Sequence, residues 1–237
     1  IISRGYGREN SKEPQALAAT PHSDPRLVGD EPLLMAQRSG VPVYVAARRA
    51  TAAQAVLQAH PEVDVLVCDD GLQHLPLARD VEIAVFNAQG IGNGWQLPAG
   101  PLREPWPKRL DMVLYAGQPP KHLAATEAAA WPLQRSLAPY AVGQDGRRHP
   151  LADLRDRPVH ALAAIAYPQE FFAMLQAQGL QLLRSDALPD HAPLDDPQWL
   201  ASLGIAAASG PTIAAADTPV LLCTEKDAHK LWRIAPQ

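Results

Sequence analysis

The stretch 63–74, VDVLVCDDGLQH, constrains this chain more than any other. Val63, Val65, Leu66 and Val67 make a short apolar run that stops at two adjacent carboxylates, Asp69 and Asp70, followed by Gly71. A brief β-branched run closed by glycine predicts a buried parallel strand over 63–68. In an open α/β sheet, ligands bind just beyond the carboxyl ends of the strands. Two acids placed there suit a hard cation such as Mg²⁺, held through oxygen ligands and in turn holding phosphates. The simpler alternative is an Asp-Gly turn with both acids in water, and only the rest of the chain can choose between them.

That rest alternates strand and helix. Residues 1–7 read as a strand end running into a glycine turn, and 9–25 as a polar, proline-containing loop. Asp30 and Glu31 precede Pro32 at the start of a helix. They serve either as helix-capping acids or as a general base at a loop–helix junction. Residues 41–46 predict a strand, 51–60 a helix capped by Thr51, and 82–86 and 111–116 two more strands. Strands alternating with short helices imply a parallel sheet with right-handed crossovers.

Between the last two strands, 92–107 is dense in glycine and proline and has no period. A long irregular connection with two tryptophans points to function rather than disorder. Arg103 within it is either a surface charge or a phosphate ligand, beside Glu104 as a further metal-directed acid. The alanine-rich and then polar stretch 121–148 reads as the link between a core domain, 1–150, and a smaller α/β domain, 151–237. The latter carries an apolar run at 158–166, a helix over 168–179 ended by Gly179, strands at 180–184 and 220–223, a helix over 195–203, and a final helix capped by Thr224.

Composition narrows the function class. The 21 basic and 25 acidic residues give a net charge of −4, without the basic footprint of a nucleic-acid binder. Cys68 and Cys223 sit in apolar runs and read as core residues of a reduced, intracellular protein. No apolar run approaches the ~20 residues that span a bilayer, and no signal peptide is expected.

Seven blocks in order, SRGYG (3–7), VGDEP (28–32), DDGLQH (69–74), GNG (92–94), LPAGPLREP (97–105), PDH (189–191) and TEKD (224–227), resemble the tetraacyldisaccharide 4'-kinase family. DDGLQH and LPAGPLREP are the most specific. The resemblance implies a P-loop NTPase-like parallel-sheet core with a second, smaller α/β domain. It implies ATP and Mg²⁺ as cofactors and an acylated glucosamine disaccharide lipid as substrate, phosphorylated on its 4'-hydroxyl at the inner face of the bacterial inner membrane. It makes Asp69 and Asp70 the metal-binding end of the central strand, joined by Glu104. Asp30 matches the general base, oriented by His191, while Arg103 handles phosphate charge and Glu31, Gln73 and His74 contact substrate.

The chain departs from the family in places. It holds no GxxxxGK[ST] stretch; the family carries its P-loop just upstream of the SRGYG block, so here it is expected to precede Ile1 together with the first strand. Ala192 replaces a second histidine, and AIAYP (164–168) replaces a Gly-Ile-Gly-Asn-Pro turn. The chain alone is therefore expected to have little activity. Two readings stay open beside the kinase: a metal-dependent phosphohydrolase that needs no nucleotide, and a non-catalytic remnant that binds acyl sugars. Arg48, Arg49, Lys108, Arg109, Arg147 and Arg148 are candidate contacts for anionic headgroups.

Overall fold

A computed structural model describes residues 1–9, 12–190, 192, 194, 196, 198 and 219–232. The chain divides into two compact units, Ile1–Arg135 and Ser136–Gln237. The division falls inside the stretch 121–148 read above as the link, ahead of the expected boundary at 150.

The first unit begins with β1 (Ile2–Ser3), β2 (Leu17–Ala19) and β3 (Val43–Val45), in the order β1-β3-β2. β1 pairs parallel and β2 antiparallel with β3. The strand β2 lies within the stretch expected to be only a polar loop; Leu17 and Ala19 supply the apolar alternation that lets it pack. Helices α1 (Pro25–Val28), α2 (Asp30–Ser39) and α3 (Arg49–Ala59) complete this part. Alternation along β3 sorts the two helices: Val43 and Val45 pack with Leu33 and Ala36 of α2, whereas Tyr44 and Ala46 pack with Ala52, Ala53 and Val56 of α3. Helix α3 starts two residues before the expected cap, so Thr51 lies inside it and Arg48 holds the cap position without a side-chain bond.

The central stretch 63–68 differs from its prediction. It forms no extended ladder. Cys68 bridges Ile2 in parallel, through Ile2 N–H to Val67 O and Asp69 N–H to Ile2 O, both at 2.9 Å. Val65 and Val67 are 69% and 59% exposed. A β-branched run becomes a ladder only beside a neighbouring strand, and among the described residues its pairing is the single bridge to Ile2. The carboxyl end is nevertheless anchored where expected, with Leu66, Cys68 and Leu77 packed against Ile2, Ala52 and Val56.

Next come β4 (Ile83–Phe86), β5 (Met112–Tyr115) and β6 (Ala129–Pro132), a parallel sheet in that order. Strand β6 was not expected; its exposed edge and alanines hide it from an apolar-run reading. Ala84, Leu110 and Val113 form the core here, with Leu72 and Trp106 closing over it.

The second unit opens with the antiparallel pair β7 (Tyr140–Val142) and β8 (Arg148–Pro150). Its centre is β9 (Val159–Ala163), flanked in parallel by β10 (Leu182–Ala187) and β11 (Val220–Cys223). One face of β9 packs Val159, Ala161 and Ala163 against Phe171, Phe172 and Leu175 of α4 (Pro168–Ala177). The other buries Leu162 and Ala164 with Leu231 of α5 (Glu225–Leu231). Gly179 ends α4's chain segment at φ +86°, as expected. The helix expected over 195–203 falls almost wholly outside the described residues.

Candidate functional site

The site grows from the carboxyl end of the bridge at Cys68. Asp69 donates its N–H to Ile2, and its carboxylate accepts from Ser3 Oγ at 2.9 Å. Ser3, buried at the end of β1, also accepts from the Gly5 N–H at 3.3 Å. This ties the SRGYG turn to the first acid. Asp70 turns the chain sharply, at φ +47°. That left-handed conformation is rare outside glycine and is tolerated best by Asp and Asn, whose short polar side chains bond locally.

Glycines bring the next element close. A Cβ on Gly5 would stand 2.7 Å from Val28 O, and one on Gly29 3.1 Å from Tyr6 O, with Gly29 at φ +95°. Only glycine at both positions lets the 3–7 and 28–32 loops approach this closely. Gly29 occupies the cap position of α2, and no side chain bonds there. Asp30 is thus the first helical residue, half-buried, and not the side-chain cap that was one of its two readings. Glu31, beside it, is exposed.

The 92–107 connection supplies the opposite wall. Asn93 donates to Ala99 O at 2.8 Å and accepts from Trp95 N–H at 3.1 Å; Leu97 and Leu102 exchange a further bond. Trp106 stacks edge-on against Phe86 at 4.8 Å and donates to Lys121 O. This folded loop presents Arg103, whose Nη1 donates to both Asp70 oxygens at 2.7 Å. That bond, with the neighbouring negative charge, raises the Arg103 pKa. The side chains are 58% and 50% exposed, so the pair contributes little to stability, on the order of 0–1 kcal/mol.

Glu104 points to different partners. Gln73 Nε2 donates to its Oε1 at 2.6 Å, and Lys108 Nζ donates to its Oε2 at 2.9 Å. Lys108 also reaches Glu82 at 3.2 Å. Burial alone would lower the Lys108 pKa, but the two carboxylates outweigh it and raise it. Among the described residues, no group of three or more His, Cys, Asp or Glu converges as a metal cage. Mg²⁺ does not need one: it binds through one or two carboxylates plus phosphate and water oxygens. Asp69 and Asp70, adjacent hard-oxygen donors, fit that requirement.

Two arginines missed as site residues stand behind this loop. Arg49 is buried at 5% exposure and donates to Asp69 O at 3.2 and 3.0 Å and to Asp70 O at 2.8 Å. Arg79 donates to Gly71 O and Leu72 O and pairs with Glu82 at 2.7 Å. Arg49 is therefore held inside the protein, and the partly exposed Lys108 is engaged by Glu104 and Glu82. The spacing of the two arginines from the acids gave no sequence signal. Burial, and then the charges of Arg49, Arg4 and Arg79, lower the pKa of His74 and keep it neutral at pH 7.

In the second unit, the TEKD block starts α5. Thr224 caps it, as expected, accepting from Asp227 N–H. Asp227 is fully buried; its Oδ2 accepts from Ala164 N–H at 3.0 Å and Thr224 Oγ1 at 2.7 Å, and its Oδ1 has no hydrogen-bond partner among the described residues. Burial raises its pKa despite those bonds. Burial and the adjacent Asp227 push the Cys223 thiol up to about 12. Lys226 donates to Asp190 at 2.9 Å, joining the PDH and TEKD blocks. His191 itself lies outside the described residues.

Comparison with known proteins adds a second line of observation. Residues 1–237 match the family model LpxK, tetraacyldisaccharide-1-P 4'-kinase. Proteins named tetraacyldisaccharide 4'-kinase from Acidovorax sp. (strain JS42) and Delftia acidovorans are each 51% identical, over 237 and 238 residues. The whole chain aligns with each and covers 64% of their length. A third, from Verminephrobacter eiseniae, is 51% identical over 240 residues and is covered to 51%. The chain thus spans between about half and two thirds of these curated relatives. In fold, 99% of it superposes on 69% of an Aquifex aeolicus LpxK crystal structure described as in complex with ATP, at a TM-score of 0.69 and 23% identity.

Proposed function

Because the chain belongs to the tetraacyldisaccharide-1-P 4'-kinase family, we propose that the protein transfers the γ-phosphoryl group of ATP to the 4'-hydroxyl of a tetraacylated glucosamine disaccharide 1-phosphate. The observation that carries this is the turn at Asp69 and Asp70, two carboxylates fixed beside β1 and faced by Arg103.

Phosphoryl transfer asks mainly for positioning and charge neutralisation. Asp69 and Asp70 are the residues that would hold Mg²⁺. A divalent cation held there would supply positive charge against the phosphates. Ser3 fixes Asp69 by its hydroxyl bond, so that one acid is oriented before any ligand arrives. Arg103 already donates to Asp70 through Nη1 alone, and its planar guanidinium donor set matches a phosphate. Asp30, at the first turn of α2, takes the acceptor hydroxyl's proton. Glu104, fixed by Gln73 and Lys108, sets the position of the Arg103 segment. Glu31, Gln73 and the neutral His74 contact the sugar.

The work takes place at the cytoplasmic face of the inner membrane, where the lipid substrate resides. No described helix is long and apolar enough to cross a bilayer. Labelled ATP, the tetraacyl disaccharide in detergent and the full-length protein provide the test. Label on the lipid is the expected result. Absence of transfer by folded protein overturns the reading, and Mg²⁺-dependent phosphate release from a model ester without nucleotide would replace it with a phosphohydrolase.

A further inference from the structure

We propose that Arg49 and Arg79 form a two-arginine clamp on the backbone of residues 69–72, and that this clamp is the positioning device for the metal-directed acids. The inference rests on the kinase reading above and deepens it.

Four consecutive carbonyls meet guanidinium donors. Arg49 takes Asp69 O and Asp70 O through three bonds of 2.8–3.2 Å, and Arg79 takes Gly71 O and Leu72 O. Each arginine comes from a different neighbour of the loop: Arg49 opens α3, while Arg79 sits in the connection leading to β4 and is itself fixed by Glu82. Arg49 is buried at 5% exposure. A buried guanidinium is costly unless its donors are met, and here peptide oxygens meet them in place of the nearby carboxylates. The consequence is chemical. The positive charge is directed to the backbone, so Arg49 does not compete for the carboxylate oxygens of Asp69 and Asp70, which among the described residues meet only Ser3 and the exposed Arg103.

Charge-assisted bonds of this kind are roughly twice as strong as neutral ones. They act on a turn that needs support, since Asp70 sits at φ +47°. Arginine also suits the task in a way lysine does not. Its donors are spread over a rigid fork that reaches two successive carbonyls, whereas an ammonium is one point. Outer partners that orient metal ligands typically matter by about 10–100-fold in affinity or activity when removed.

The test uses the full-length protein and Mn²⁺ as a spectroscopic stand-in for Mg²⁺, with binding followed by electron paramagnetic resonance in the presence of ATP. Arg49→Met keeps the buried stem and removes the fork. It is expected to weaken Mn²⁺ binding at least about tenfold and to lower kcat by about 10–100-fold, with KM for the lipid acceptor within threefold. Arg49→Lys should fall between Met and the native residue, and Arg79→Gln should show a smaller loss of the same kind. A folded Arg49→Met protein that binds Mn²⁺ and turns over within twofold of the native protein overturns the clamp. Should that variant fail to fold by circular dichroism, the Lys and Gln variants decide, and both within twofold overturn it. A native protein that binds Mn²⁺ but transfers no phosphate would instead sink the kinase reading. The metal-affinity comparison would still judge the clamp on its own.

Discussion

Two carboxylates in this molecule occupy the same kind of place and are treated in opposite ways. Asp70 stands past the end of the parallel pairing at Cys68, half in water, with both oxygens against an exposed arginine. Asp227 stands past the end of β11, fully buried, with one oxygen bonded to Ala164 and Thr224 and the other without a hydrogen-bond partner among the described residues. The first has its peptide oxygen held by Arg49 and its half-exposed carboxylate met by the solvent-facing Arg103. The second is a bolt that joins the end of β9 to the first turn of α5. Position at a strand's carboxyl end therefore does not make an acid a reagent; solvent access and the direction of its partners do.

The largest effect expected from breaking this contrast is on catalysis. Asp70→Asn keeps the shape, removes the charge, and is expected to lower phosphoryl transfer by about 10²–10³-fold, the range for losing one electrostatic contact to the reacting group. Its unfolding midpoint in urea should barely move, because the Arg103 pair is exposed. A folded Asp70→Asn protein with native kcat would place Asp70 with Asp227 among structural acids.

The converse substitution should cost stability. Asp227→Ala strands the Ala164 N–H and the Thr224 hydroxyl in the core, at about 1–3 kcal/mol. Asp227→Asn retains an oxygen for both donors and should be far milder. The two variants also separate by pH. Because folding raises the Asp227 pKa, the unfolded state releases its proton first as pH rises. The stability contributed by this group is fully present below the unfolded carboxyl pKa and is lost as pH climbs through the raised folded value. Native protein should thus lose stability relative to Asp227→Asn over that window, a slope opposite to that of a salt-bridged acid. A flat difference between the two in urea melts from pH 4 to 8 would show that Asp227 titrates normally.

The contrast also explains what was legible in the sequence. The alternation of apolar runs and turns located β3, β4, β5, β9 and β11, because each is read from its own residues. The DDGLQH and LPAGPLREP blocks located Asp70 and Arg103, which the folded loop brings to 2.7 Å. Arg49 stayed hidden, since a guanidinium that bonds carbonyls leaves no side-chain partner in the sequence to pair with it; Arg79 has Glu82 three residues on, but that pair does not disclose its bonds to Gly71 O and Leu72 O. The stretch 63–68 misled for the same reason. Its residue types specify a strand, but a ladder forms only against a neighbour, and among the described residues that neighbour is met at one bridge. Strand β2 and the burial of Asp227 likewise depend on contacts made at long range.

The smallest expected effect sharpens the comparison most finely. Arg103→Gln removes the cation facing Asp70, and intuition from the 2.7 Å contacts of one nitrogen with both carboxylate oxygens would predict a large loss of stability. Exposure argues otherwise. Both side chains are half or more in water, where an ion pair gains little Coulomb energy and gives back side-chain entropy. The expected change is under about 1 kcal/mol in urea, and it should shrink further as salt rises. Phosphoryl transfer by the same variant should fall well beyond what that stability change implies, because the fork is then missing from the phosphate's surroundings. If the urea midpoint instead dropped as far as for Asp227→Ala, Arg103 and Asp70 would be a structural pair, and the division between the open acid and the buried one would not hold.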